Sequence, residues 1–233
     1  MRRLAVIPAR GGSTRLVDKN VHPLGGKPLI QWSVENVVKS GCFDDVYVST
    51  DSEKIWDAVK HLPVKRHNRP KEHATVTATV LKAMISLMGE IEERGDKYDT
   101  FAYFLPTCPL VPVSAIREGV EKLTEGTDSV ICMTEYNETI QLACIVKEGN
   151  VTPIFDNLTS GLTNSKFIQK YHRPTGAFYM GMWDSILKNQ NFFKGNVKGV
   201  VIPNNLAADI NDIYDIQLAE NTLQRLAGTY VNE

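Results

Sequence analysis

Ala9-Arg10-Gly11-Gly12-Ser13-Thr14-Arg15 is the stretch of this chain best equipped for chemistry, with Lys19 and Asn20 close behind. Two adjacent glycines can take positive φ values and bring their main-chain N–H groups close to a ligand. The charged ends of Arg10, Arg15 and Lys19 around such a turn can hold the oxygens of a polyphosphate. Up to Pro28 there are six basic residues and one acid, Asp18, in a chain of 233 residues whose net charge is -1. That local excess makes a nucleoside triphosphate the expected guest. The alternative is a plain surface turn with solvated side chains. The spacing is neither that of a P-loop nor that of the dinucleotide fingerprint.

A second group lies near the other end of the chain. Asp209-Ile-Asn211 reads as extended, so the two oxygen-bearing side chains point to one side and could share a hard cation such as Mg²⁺. Asp212 and Asp215 suit the cap and first turn of the helix that follows. His172-Arg173 precedes a strand, where Arg173 could meet a carboxylate. Phe192-Phe193 could wall an acyl group or belong to the core.

The elements that must position these residues alternate between strand and helix. Leu4–Pro8 reads as a buried strand and Pro28–Ser40 as a helix stopped by Gly41. Val46–Ser49 reads as a strand, with Asp51 expected to cap a helix running to about His61. A helix is expected from Thr77 to about Arg94, then a strand over Thr100–Leu105, a helix capped by Ser114 and a strand over Ser129–Met133. After about Thr134 come a hairpin turning at Gly149-Asn150 and a polar excursion from Asp156 to Gln169. The α/β pattern returns with Ala177–Met182, Trp183–Lys188, Val197–Ile202 and Asp212–Ala227. This order predicts one α/β domain, 1–233, built on a mostly parallel sheet with helices on both faces. Arg10-Gly11-Gly12, Ser49-Thr50-Asp51 and Pro106-Thr107-Cys108 each follow a strand and should ring one crevice. There Ser49, Thr50 and Thr107 could bond a ligand or cap helices.

Composition narrows the class. A sequence pI near 6.5 gives no global pull toward nucleic acid. Cys42, Cys108, Cys132 and Cys144 form no Cys-x-x-Cys pair, which argues against zinc and for reduced thiols in the cytoplasm. The short apolar run before Pro8 is not a signal peptide, and Pro106, Pro109 and Pro112 exclude a membrane helix over the uncharged stretch around them.

With these residues in hand, the chain resembles the cytidylyltransferases that activate nonulosonic acids: the CMP-N-acetylneuraminate (CMP-sialate) synthetases and their pseudaminate and legionaminate relatives. The resemblance runs nearly end to end. Ile7-Pro-Ala-Arg-Gly-Gly-Ser13, Lys19-Asn20, Gly26-Lys-Pro-Leu-Ile30, Val48-Ser-Thr-Asp51 and Arg69-Pro70 carry it in the first part. Pro106-Thr-Cys-Pro-Leu110, Arg173-Pro-Thr-Gly-Ala-Phe-Tyr179, Asp209-Ile-Asn211 and Ala219-Glu-Asn221 carry it in the rest. Each is modest alone, and together in this order they are specific.

The resemblance implies a doubly wound, nucleotide-diphospho-sugar-transferase-like Rossmann variant with an inserted dimerisation arm at about 137–170. It implies that CTP and a sialic-type keto-sugar acid give the CMP-sugar and pyrophosphate in a Mg²⁺-dependent homodimer. Arg10 and Lys19 would grip the triphosphate, Asn20 and Arg69 the nucleoside, and the Ala78 backbone the base. Asp209, with Asn211, would hold the metal; Arg173, Tyr179, Phe192, Phe193 and Gln141 would face the sugar. The departures are Thr14 for a lysine, Leu105 for a glutamine or tyrosine, Val111 for an arginine and Asn211 for an aspartate. In the arm, Gln141 and a region holding only Lys166 replace a lysine and an arginine. They keep open an acceptor of the 3-deoxy-manno-octulosonate type, or a weakly active nucleotide-binding paralog.

Overall fold

The computed structural model describes residues 1–13, 15–75 and 79–229. Strand β1 (Arg3–Pro8) leads through the basic bend to a β2–β3 hairpin (Pro23–Leu24, Lys27–Pro28) and helix α1 (Leu29–Ser40). Next come β4 (Asp45–Thr50), α2 (Glu53–Val59), β5 (Lys65–Asn68), α3 (Val80–Glu93), β6 (Thr100–Phe104), α4 (Val113–Lys122) and β7 (Ser129–Glu135). A β8–β9 hairpin (Cys144–Lys147, Asn150–Pro153) and the short α5 (Asn157–Ser160) form the excursion. The chain closes with β10 (His172–Met182), α6 (Trp183–Asn189), β11 (Val197–Val201) and α7 (Ile213–Thr229).

Seven strands make one sheet in the order β11-β7-β10-β6-β1-β4-β5. Every pairing in it is parallel except the two that β10 makes with β6 and β7. β1 lies inside the sheet, and its alternation is that of a strand buried on both faces. Ala5 and Ile7 join the layer packed by α1, α2 and α4, while Leu4 and Val6 face the layer of α3 and α6. α7 packs separately: Ile216 and Ala219 join Leu24, Leu29, Leu110 and Ile210 in a third apolar cluster. The expected mostly parallel α/β sheet with helices on both faces is what the chain forms.

The differences have local causes. β5 was not expected because Lys65-Arg-His-Asn68 has no apolar run; it is an edge strand, where polar side chains are tolerated. Ser52, one residue past the expected Asp51, caps α2 by accepting from Ile55 N–H at 3.4 Å. Pro112 stands at the N-cap of α4 in place of Ser114. β10 begins at His172 instead of Ala177, and its pairing with β7 is irregular between Pro174 and Tyr179. Gly176 sits in that irregularity at φ +84, and a Cβ there would lie 3.2 Å from Leu105 Cδ1, so the loop after β6 can seat against β10.

His67 of β5 ties the edge of the sheet to α3. Its Nδ1 lies 2.9 Å from Ser49 Oγ and its Nε2 3.3 Å from Glu90. Burial works against the charged imidazole and outweighs the pull of Glu90, while Arg94 and Arg69 push the same way, so the pKa falls below the usual histidine value. The unfolded chain therefore takes up a proton before the folded one does. This contribution to stability is present above about pH 6.5, the ordinary histidine pKa, and is lost as pH falls below it. The urea midpoint should drop between pH 7 and 5, and His67→Gln should flatten that drop; equal slopes in the two proteins would remove His67 from the account.

Candidate functional site

β1, β4 and β6 run parallel, so Pro8, Thr50 and Phe104 end on one side of the sheet, and the loops that follow them meet there. They border a cleft of about 270 Å³ lined by Arg10, Ser13, Arg15, Lys19, Asn20, Arg69 and Thr107, with Pro8, Val80, Leu105 and Pro106 supplying its apolar walls. The basic residues singled out around the glycines thus meet in space.

Ala9 is buried and continues the β-pairing, donating its N–H to Ser49 O at 2.9 Å. The chain then turns, but not as the glycine pair suggested. Neither Gly11 nor Gly12 has a positive φ; among the described residues of this bend that conformation falls to Asp18, at φ 56. Gly11 is needed for close approach instead: a Cβ on it would lie 3.0 Å from Ser52 Cβ, whereas one on Gly12 would meet no atom within 4 Å. The Gly11 N–H donates to Asp51 Oδ1 at 2.8 Å. Thr14 and Ala78 lie outside the described residues.

Three of the cleft's four cations are held by main-chain carbonyls. Arg10 Nη1 donates to Thr75 O at 2.7 Å. Arg69 Nε and Nη2 donate to His73 O at 2.9 and 2.5 Å. Lys19 Nζ donates to Ile210 O at 2.8 Å. Burial lowers the Arg69 and Lys19 pKa values; Arg10's charge adds to the effect at Arg69 and Arg15's at Lys19, with Asp51 and Asp209 opposing. Asn20 is buried, and its Nδ2 donates to Arg10 O at 3.0 Å, which props up the start of the turn. Ser49 is engaged by His67, and Thr50 Oγ1 accepts from Ser52 N–H at 3.1 Å, so both serve local structure here.

Thr107 links this cleft to the later carboxylate loop, because its carbonyl accepts from Ile210 N–H at 2.8 Å. Asp209 is exposed beside that contact. Asn211 Nδ2 donates to the Asp209 carbonyl at 3.0 Å and to its Oδ2 at 3.4 Å, so the carboxamide braces the carboxylate. Asp212 Oδ1 accepts from Asp215 N–H at 3.1 Å while Asp215 Oδ2 accepts from Asp212 N–H at 3.2 Å, a reciprocal cap at the start of α7.

The residues expected at a sugar lie outside the cationic cleft. Tyr179 stacks on Tyr103 with ring centroids 4.9 Å apart. Phe192 is buried against both rings and belongs to the core, whereas Phe193 is 56% exposed. Arg173 sits on β10 opposite Thr134. Gln141 is buried at the root of the excursion, in a second cleft of about 330 Å³ that Lys166 also lines. Its Nε2 donates to Gln169 O at 2.8 Å, and among the described residues its Oε1 has no partner. Sequence reasoning missed Asp51 as a support for the turn, because its place after a strand also suits a helix cap. It missed Val80 as a wall because helical spacing alone marks a residue as core.

The family model described as Cytidylyltransferase matches residues 4–157 of the chain. Pseudaminic acid cytidylyltransferase of Campylobacter jejuni is 33% identical over 226 residues, covering 94% of this chain and 95% of the relative. CMP-N,N'-diacetyllegionaminic acid synthase of Legionella pneumophila is 30% identical over 229 residues, covering 96% and 97%. Among solved structures, CMP:2-keto-3-deoxy-manno-octonic acid synthetase complexed with CTP superposes with a TM-score of 0.71, covering 97% of this chain and 99% of the other. At 15% identity that likeness speaks for the fold.

The two glycines should respond differently to a methyl group. Gly11→Ala should cost about 1–3 kcal/mol, the range for overpacking, while Gly12→Ala should stay within about 0.5 kcal/mol, as surface changes do. Chemical denaturation of both variants checks this, and equal stabilities would contradict the close approach at Ser52.

Proposed function

The chain belongs to the cytidylyltransferase family, and we propose that it transfers CMP from CTP to the anomeric hydroxyl of a nonulosonic acid, releasing pyrophosphate. The observation that carries the reading is the cationic cleft: Arg10, Arg69 and Lys19 converge there on main-chain carbonyls, whose partial charges leave the positive charge unspent. A triphosphate would supply the missing anion. The relatives named for pseudaminic and legionaminic acids favour that branch over the acylneuraminate branch for the acceptor.

In this mechanism the acceptor hydroxyl attacks the α-phosphorus, the bond to the β-phosphate oxygen breaks and pyrophosphate leaves. Negative charge grows on the phosphoryl and leaving oxygens, and preorganised cations stabilise it most where water is excluded. Arg10 and Lys19 take that role. Asn20 holds the Arg10 carbonyl and Arg69 the segment at His73, which fixes the nucleoside end. Ser13, Arg15 and Thr107 complete the wall.

Mg²⁺ fits the donor set with one amendment. Asp209 would hold it through its exposed carboxylate, and Mg²⁺ is commonly bound by one or two carboxylates plus substrate phosphates. Asn211 turns an N–H toward that carboxylate, so its part is to orient Asp209. When bound, the ion would offset charge on the triphosphate oxygens. That same amide supports a second reading, a nucleotide-binding paralog of low turnover.

The acceptor would lie beyond Thr107, toward Arg173, Tyr179 and Phe193. The excursion over 137–170 would be an arm reaching a second copy of the chain. Ile145, Val146, Val151, Leu162 and Phe167 are all exposed along it, more apolar surface than a lone hairpin needs to present to water. Gln141 and Lys166, sharing one cleft at its root, would then face the partner's sugar.

Pyrophosphate release from CTP across a panel of keto-sugar acids tests the reaction, with a pseudaminate- or legionaminate-type acid expected to be the best acceptor. No CTP consumption with any of them would refute it. Arg10→Ala should lower kcat/KM by about 100-fold or more, as loss of a donor to transition-state charge does. Asn211→Asp should lower the Mg²⁺ concentration at half-maximal rate and raise turnover; an unresponsive variant favours the low-turnover paralog.

A further inference from the structure

Asp51 has no role in the transfer described above and does not line the cationic cleft, yet its carboxylate holds the turn that follows Arg10. Oδ1 accepts from Gly11 N–H at 2.8 Å, and a Cβ on Gly11 would come within 3.8 Å of the same oxygen. The helix beside it does not need Asp51, because Ser52 caps α2. Its charge acts favourably on the buried Arg69 guanidinium, while that of Arg10 acts against it. The acid of the basic bend, Asp18, is already paired with Lys54 of α2.

We infer that Asp51 is a positioning residue that locks the Gly11 turn and, by offsetting positive charge at Arg69, moderates how tightly the cleft holds a triphosphate. The inference rests on the nucleotide reading of the cleft. Two properties of one carboxylate are involved, and two substitutions separate them. Asp51→Asn keeps an oxygen for the Gly11 N–H and removes the charge. Asp51→Ala removes both.

Two cations facing an anion gain when a nearby negative charge is lost, and salt screens that gain where the group is exposed, as Asp51 is. A hydrogen bond that a main-chain N–H donates to a charged acceptor is worth more than one to a neutral acceptor, and losing it altogether loosens the turn.

The test is calorimetric titration of the wild type, Asp51→Asn and Asp51→Ala with CTP alone, at low salt and at high salt. Thermal melts would confirm that each protein is folded. Asp51→Asn should bind CTP about threefold tighter than wild type at low salt, with the advantage gone at high salt. Asp51→Ala should bind about tenfold more weakly than Asp51→Asn. A helix-end residue of purely structural importance would not give a salt-dependent gain on losing its charge. If the two variants bind alike, or Asp51→Asn gains nothing at low salt while wild type binds CTP, this inference fails and the proposed function stands. A folded wild type with no affinity for CTP overturns both.

Discussion

Four cations share one cleft, and the contacts that hold three of them there are to carbonyl oxygens. Elsewhere on the protein basic side chains meet carboxylates: Arg66 with Glu53, Lys27 with Glu35, Lys65 with Asp45. A carboxylate cancels its partner's charge, whereas a carbonyl fixes a donor in place and leaves most of the charge to act on something else. Arg10 on Thr75, Arg69 on His73 and Lys19 on Ile210 are therefore oriented without being neutralised. Their mutual repulsion works against the fold, so burial elsewhere must outweigh it. β1 supplies such burial, with Leu4, Ala5, Val6 and Ile7 fully enclosed between two helical layers. The cleft is an electrostatic arrangement that the core holds together.

The sheet decides which loops can contribute. With β1 between β4 and β6, the turn after β1 has neighbours on either side, and both are used. On the β4 side Ser49 takes the Ala9 N–H and Asp51 the Gly11 N–H. On the β6 side Pro106 and Thr107 form the opposite wall. β10, the antiparallel strand of the seven-stranded sheet, brings Gly176 against Leu105, where a Cβ would lie 3.2 Å from the Leu105 side chain. Nothing in the sequence pattern announces an antiparallel strand inside a parallel sheet, since direction depends on the length and path of the preceding excursion.

Much of the fold was legible because the buried strands are apolar runs and the helices carry apolar residues at helical spacing. β5 was not, because an edge strand with one buried side chain, His67, has no hydrophobic signature. The cleft was legible through charge: four basic side chains of unequal sequence position, Arg10, Arg15, Lys19 and Arg69, converge on it. What the glycines do was misread. Adjacent glycines suggest positive φ, but the requirement at Gly11 is steric, imposed by Ser52 from the far side of α1 and β4 in the sequence. Phe192 and Phe193 were read as one unit, yet consecutive residues in this loop diverge, one into the core and one to solvent. A close approach between segments distant in sequence leaves no local trace, and those contacts are the ones the cleft uses.

Ile210 shows how an apolar residue can aim a polar site. It is fully buried with Leu24, Leu29, Leu110 and Ile216, while Asp209 before it is exposed and Asn211 after it half-buried. Alternate residues of an extended segment point to opposite sides, so anchoring the middle one inward turns its two neighbours outward together. The main chain of Ile210 is tied as well, its N–H to Thr107 and its carbonyl to Lys19. Asp209 can therefore shift only with the cleft wall or with the lysine that would grip the triphosphate. A carboxylate on a loop without those ties would have to be ordered at the moment of binding, at a cost of about 1–2 kcal/mol for each backbone residue fixed. Here the apolar cluster under α7 meets that cost during folding, which makes the distance between Asp209 and the cationic cleft a property of the core.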